Sequence, residues 1–94
     1  MKKKIVILGA GESGVGTAIL AKQKGYEVWV SDFGKIKETY KDVLKCYEID
    51  WEEGGHDLNK MMDATVVMKS PGIPDTAQIV VDLKENQLRQ LVLF

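Results

Sequence analysis

Apolar and polar positions follow two rhythms along this chain. Ile5, Val6, Ile7 and Leu8 form an unbroken run of branched apolar side chains, the pattern of a strand covered on both faces, as in the interior of a parallel sheet. It predicts a strand from about Lys4 to Gly9. From Ser13 to Lys24 the rhythm becomes helical, with Gly14, Ala18, Ala21 and Gly25 spaced 4, 3 and 4 residues apart. A narrow face made only of small residues suits close packing on strands. Gly25 is expected to close that helix in a left-handed conformation. Val28, Trp29 and Val30 centre a second strand, about Glu27 to Ser31, which ends at Asp32 and a Phe33-Gly34 turn.

Further along, Ile36, Tyr40, Val43 and Leu44 recur at helical spacing and predict a second helix from Ile36 to Cys46. A short third strand is expected from Tyr47 to Trp51, then a loop from Glu52 to His56. Asp57 can cap a short third helix containing Leu58, Met61 and Met62. Ala64 to Met68 is a second β-branched apolar run and predicts the fourth strand. Lys69-Ser70-Pro71-Gly72-Ile73-Pro74 reads as a turn made rigid by two prolines, after which Asp75 or Thr76 caps a fourth helix carrying Ile79, Val80 and Leu83. Gln90 to Phe94 offers a fifth strand. Strands that alternate with helices imply an α/β fold, a Rossmann-like three-layer domain with a parallel sheet and right-handed crossovers. The expected strand order is 3-2-1-4, with the fifth strand beyond the fourth. At 94 residues the chain makes one small domain.

Glycines give the first strand-to-helix turn its chemical interest. Gly9, Gly11 and Gly14 spell G-x-G-x-x-G between a strand and a helix. The first permits a tight turn, the second lets a ligand approach the backbone, and the third lets the helix lie close on the sheet. Asp32 lies 18 residues past Gly14, where an acidic residue meets a ribose hydroxyl in dinucleotide-binding folds. In an open parallel sheet, ligands bind beyond the carboxyl ends of the strands, where strand order reverses. The loops after the first and fourth strands and the end of the second should therefore share one crevice. Ser70 offers it a hydroxyl, Gly72 an unshielded N–H, and Pro71 and Pro74 fix the backbone in advance. Glu12 modifies the reading. A carboxylate at the helix start is stabilised there, but it is a poor neighbour for a pyrophosphate in the same place. A neutral base or ribose over this loop, with phosphates elsewhere, conflicts less.

Composition narrows the classes. Lys and Arg total 13 against 14 Asp and Glu, a net charge of −1, so no basic surplus marks a nucleic-acid partner. Cys46 is the only cysteine, which rules out an internal disulfide and suits a reducing cytoplasm. The apolar run after Lys2, Lys3 and Lys4 is too short for a signal peptide, and no stretch approaches a membrane span. His56 has no second histidine or cysteine at metal spacing and reads as a loop residue without a site role. The Trp and Tyr side chains read as packing residues. No G-x-x-x-x-G-K-[ST] is present, so no ATP phosphate loop is expected, and no nucleophile–base pair stands out. Three readings remain: a substrate-binding part of a larger enzyme, a nicotinamide-binding part of an oxidoreductase, or a domain that senses a nucleotide.

I-L-G-A-G-E-S-G-V-G, then S-D, G-G-H-D-L and V-M-K-S-P-G-I-P, over about residues 4 to 85, resembles the amino-terminal domain of the Mur ligase family. The S-P-G-I-P block separates this resemblance from a dehydrogenase. It implies a three-domain, ATP-dependent ligase of peptidoglycan precursor synthesis, whose first domain holds the UDP part of UDP-N-acetylmuramoyl-L-alanine. It also implies that ATP, Mg²⁺ and D-glutamate bind to other domains, with no metal, cofactor or catalytic residue in this one. By position, Gly11, Glu12, Ser13 and Asp32 would surround the uridine, and Ser70, Pro71 and Gly72 the ribose and diphosphate. Replacing Asp32 by Ala is expected to weaken uridine binding and leave the fold intact. The protein is expected to be cytoplasmic and monomeric, with no membrane partner. Two departures stand out. Phe33-Gly34 follows Asp32 where a small polar and a basic residue are common, and residues 87–94 form an atypical tail, as in a piece cut from a longer chain.

Overall fold

Strand β1 (Lys4–Leu8) divides the interior in two, and its alternation explains how. Successive side chains of a strand point to opposite faces. Ile5 and Ile7 pack with Ala10, Val15, Ala18, Ala21, Val28, Val30, Ile36, Leu44 and Ile49. Val6 and Leu8 pack with Met61, Ala64, Val67, Ile79, Val80 and Leu83. Val6, Ile7 and Leu8 are wholly buried, which is why no polar residue interrupts them. This computed structural model describes residues 2–86 and 90–94. The part of the atypical tail at 87–89 lies outside the described residues.

The remaining elements are α1 (Glu12–Gln23), β2 (Glu27–Asp32), α2 (Glu38–Cys46), β3 (Asp50–Glu53), a single 3-10 turn (Leu58–Lys60), β4 (Val66–Lys69), α3 (Gln78–Glu85) and β5 (Leu91–Leu93). The sheet is parallel throughout, in the order β3-β2-β1-β4-β5. That is the predicted order, with β5 in the place reserved for it. Ile7 sits opposite Val30 on one side and Met68 on the other. Helices α1 and α2 cover one face, and α3 with the 3-10 turn covers the other. No helix among the described residues is long and apolar enough to cross a membrane.

Local chemistry accounts for the differences from expectation. Helix α1 closes at Gly25, with φ 90° and its N–H bonded to Lys22 O, while Tyr26 N–H returns to Ala21 O. Helix α2 closes the same way without a glycine. Glu48 takes φ 57°, and Ile49 N–H bonds Leu44 O. This closure uses up Tyr47 and Glu48, so the third strand spans Asp50–Glu53 instead of Tyr47–Trp51. Helix α2 also begins later than Ile36. Ile36 is buried ahead of it, and its N–H is taken by Glu53 Oε1 at 2.8 Å. The expected third helix is one turn only. Asp57 accepts from Asn59 N–H as a cap, but Met61 turns inward and Met62 stays in solvent. Helix α3 begins after Ala77 with no side-chain cap, and Asp75 lies 3.6 Å from Lys69 Nζ instead.

Candidate functional site

Sheet order reverses between β1 and β4, and the loops leaving these strands meet there. Gly9 ends β1 with φ 101° and donates its N–H to Ser31 O at 2.9 Å. A Cβ on Gly9 would come within 3.1 Å of Ser70 Cβ, so the two loops are in contact. Gly14 allows α1 to sit down on this turn: a Cβ there would lie 1.9 Å from Gly9 O, closer than any side chain can come. Gly11 precedes α1 and has open space around it, and no side chain caps the helix. Its first N–H groups therefore remain available.

A cleft of about 880 Å³ opens over these loops. Gly11, Glu12, Ser13, Asp32, Ser70 and Gly72 all line it. Pro71 does not; it faces a separate depression beside Lys69, Asp75 and Lys84. Glu12 is exposed to solvent as well as bordering the cleft. Asp82 of α3 also lines it, so three carboxylates surround this space.

The role of Asp32 is partly architectural. Its Oδ2 accepts Ala10 N–H at 2.8 Å, and its Oδ1 accepts Gly34 N–H at 2.9 Å. One carboxylate thus ties the glycine loop to the turn after β2. Two backbone donors lose their acceptor in Asp32→Ala, so the substitution carries a stability cost besides any effect on binding. Gly72 also departs from expectation. Its N–H is not unshielded but donates to Ser70 Oγ at 3.2 Å. The hydroxyl keeps its own proton for the cleft.

Lys69, which the sequence pattern places in the proline turn, is the last residue of β4 and acts as a fastener. It is nearly fully buried, and its Nζ donates to Ile73 O at 2.5 Å. A buried ammonium must be paired or hydrogen-bonded. Here it holds the turn from Ser70 to Pro74 against the end of β4, beside Asp75.

His56, which the sequence presents as a loop residue without a site role, lines the cleft together with Phe33. Its Nδ1 lies 2.6 Å from Ser31 Oγ. That hydroxyl donates to Glu52 Oε2 at 2.8 Å, and the same oxygen accepts Trp29 Nε1–H at 3.2 Å and Asp57 N–H at 3.0 Å. Ser31 and Glu52 are register partners in neighbouring strands, which no spacing within one strand reveals. Burial pushes the His56 pKa below its ordinary value, with Glu52 and then Asp32 opposing the shift. The Phe33 ring lies 5.9 Å from the His56 ring at 42°. Among the described residues, no three His, Cys, Asp or Glu side chains are grouped to hold a metal.

A parallel 3-2-1-4-5 sheet whose ligand cleft is built from a glycine turn, an acidic strand end and a proline turn defines a Rossmann-type binding domain. Comparison with known proteins makes this specific. The family model of the MurD N-terminal domain matches residues 4–79, and the chain belongs to that family. It is 66% identical over 86 residues to a UDP-N-acetylmuramoylalanine–D-glutamate ligase of Christiangramia forsetii, covering 92% of this chain and 19% of that protein. A ligase of the same description from Bacteroides thetaiotaomicron is 55% identical over 82 residues, covering 87% of this chain and 18% of that one. Among solved structures, a pseudomurein peptide ligase type C from Methanothermus fervidus superposes with a TM-score of 0.84 at 31% identity, over 98% of this chain and 19% of that one. The UDP-N-acetylmuramate-alanine ligase MurC of Thermotoga maritima, at 20% identity and a TM-score of 0.79 over 96% of this chain and 20% of that one, shares the fold. The chain spans about a fifth of the length of these relatives.

Proposed function

We propose that this chain is the domain of a D-glutamate-adding ligase that holds the UDP end of UDP-N-acetylmuramoyl-L-alanine. The observation that carries the reading is the convergence of the glycine turn, Asp32 and the Ser70–Gly72 turn on one cleft, in a chain of the matched family. Glu12 and Asp32 beside the glycine turn favour a neutral base over a diphosphate at that turn, since like charges about 4 Å apart repel by roughly 1 kcal/mol even in water. Uridine therefore lies over the glycine turn, with Gly11 leaving room and Ser13 and Asp32 beside it. The ribose and diphosphate run towards Ser70 and Gly72. Pro71 shapes that turn and makes no contact with the ligand.

In the whole enzyme, ATP and Mg²⁺ activate the substrate's carboxylate for attack by D-glutamate. This sequence holds no phosphate loop, which assigns ATP, with the Mg²⁺ it carries, to other domains. This domain alone binds and orients, acts in the cytoplasm as a monomer, and does not catalyse. Titration of the ¹⁵N-labelled chain with UDP and with NADH tests the reading. UDP should shift the amides of Gly11–Ser13, Gly34, Ser70 and Gly72, and NADH should not. Binding of NADH without UDP would overturn it in favour of an oxidoreductase part.

A further inference from the structure

Ser31, Glu52 and His56 form a chain of hydrogen bonds in which the groups already held by Glu52 direct the proton of Ser31. A serine hydroxyl has a single proton to donate. Glu52 Oε2 already accepts from Trp29 Nε1–H and Asp57 N–H, as an ionised carboxylate does, so the Ser31 proton goes to it as well. The 2.6 Å contact between Ser31 Oγ and His56 Nδ1 then requires Nδ1–H as the donor. A neutral imidazole carries one N–H, which leaves Nε2 with a lone pair. His56 borders the cleft, and among the described residues its ring makes no hydrogen bond other than that to Ser31. Next to it stands Phe33, 77% exposed despite being a large apolar ring, which offers a face to a planar ligand.

We propose that His56 Nε2 reads the edge of the base by accepting its imide N–H, which selects uracil over cytosine, and that Ser31 and Glu52 are the positioning residues that fix this tautomer. The inference rests on the uridine reading given above. Uracil carries a hydrogen at N3, whereas cytosine presents a lone pair there. Two acceptors facing each other leave both unsatisfied in a partly dry cleft, and each loses its bond to water. Asp32 is the weaker candidate for this task, since each of its oxygens already holds a backbone N–H.

His56 is the only histidine in the chain, so its ring nitrogens can be observed by ¹⁵N NMR without ambiguity. In the free protein near neutral pH, Nδ1 should show the shift of a protonated nitrogen and Nε2 that of a bare one. A proton on Nε2 would overturn the proposal. Ser31→Ala should return the ring to a mixture of tautomers; an unchanged ring would remove Ser31 from the assignment. Titrations with UDP and CDP supply the second readout. The chain should prefer UDP by about ten-fold, and His56→Phe should bring the two affinities to within about two-fold of each other. A preference that survives His56→Phe would refute the role of His56 and leave the uridine reading standing. Absence of any shift with either nucleotide would defeat the uridine reading and this proposal together.

Discussion

Single side chains in this domain join segments that are distant in sequence. Asp32 is the clearest case, with one oxygen on Ala10 N–H and the other on Gly34 N–H. Asp32→Ala should therefore lower stability by about 1–3 kcal/mol, read as a lower denaturation midpoint at unchanged slope. Glu53 acts similarly at the other edge of the sheet. It receives Lys41 Nζ at 2.6 Å and Ile36 N–H at 2.8 Å. The Lys41 bond, followed by the Ile36 N–H, holds its carboxyl below the usual glutamate range. A carboxylate whose folded pKa is depressed contributes stability above its unfolded value and loses it as pH falls through the folded one. The Glu53 hydrogen bond likewise raises the Lys41 pKa, so that contribution persists until pH rises past the ordinary lysine range. Glu53→Gln should flatten the acid limb of a stability–pH profile below about pH 4.5, and an unchanged limb would remove this pair from the account. Asp32 was legible in the sequence from its distance to the glycines. His56, Glu52 and Lys69 were not, because their contacts are made across the sheet edge or within a turn, which neither spacing nor periodicity reports.

The secondary-structure elements follow the hydrophobic pattern wherever burial is two-sided and depart from it where a turn intervenes. The branched runs at Ile5–Leu8 and around Val67 announce strands because both their faces are covered. The third strand starts later than the pattern predicts because Ile49, which looks like a strand residue, gives its N–H to Leu44 O in the closure of α2 while its side chain joins the core. The third helix is shorter than the pattern predicts because Leu58 and Met61, though at helical spacing, belong to a single turn. Helix α1 yields a test in which two effects oppose each other. In an exposed helix, replacing glycine by alanine gains about 1 kcal/mol. At Gly14 the added carbon would meet Gly9 O at 1.9 Å, and the helix would have to lift from the sheet. Gly14→Ala should therefore lower the thermal midpoint, whereas Gly16→Ala, with open space around it, should raise it or leave it unchanged.

At the scale of the whole molecule, the domain presents its cleft on one rim of the sheet, walled by α1, the Phe33 turn, His56, the Ser70–Pro74 turn, α3 and Phe94. Its relatives are about five times longer, and under the proposed function the contacts to the rest of a nucleotide sugar fall outside this chain. Calorimetry on this chain with UDP should accordingly give a dissociation constant of about 1 mM or weaker, near −4 kcal/mol. Sub-micromolar binding would mean that the cleft is sufficient by itself. The Asp32 tether has one more consequence. Because a single carboxylate straddles the glycine turn and the Phe33 turn, these two walls cannot drift independently, and a guest pressing on either is felt by both. The mouth of the cleft behaves as one stiff collar whose aperture is set during folding and inherited by whatever ligand arrives.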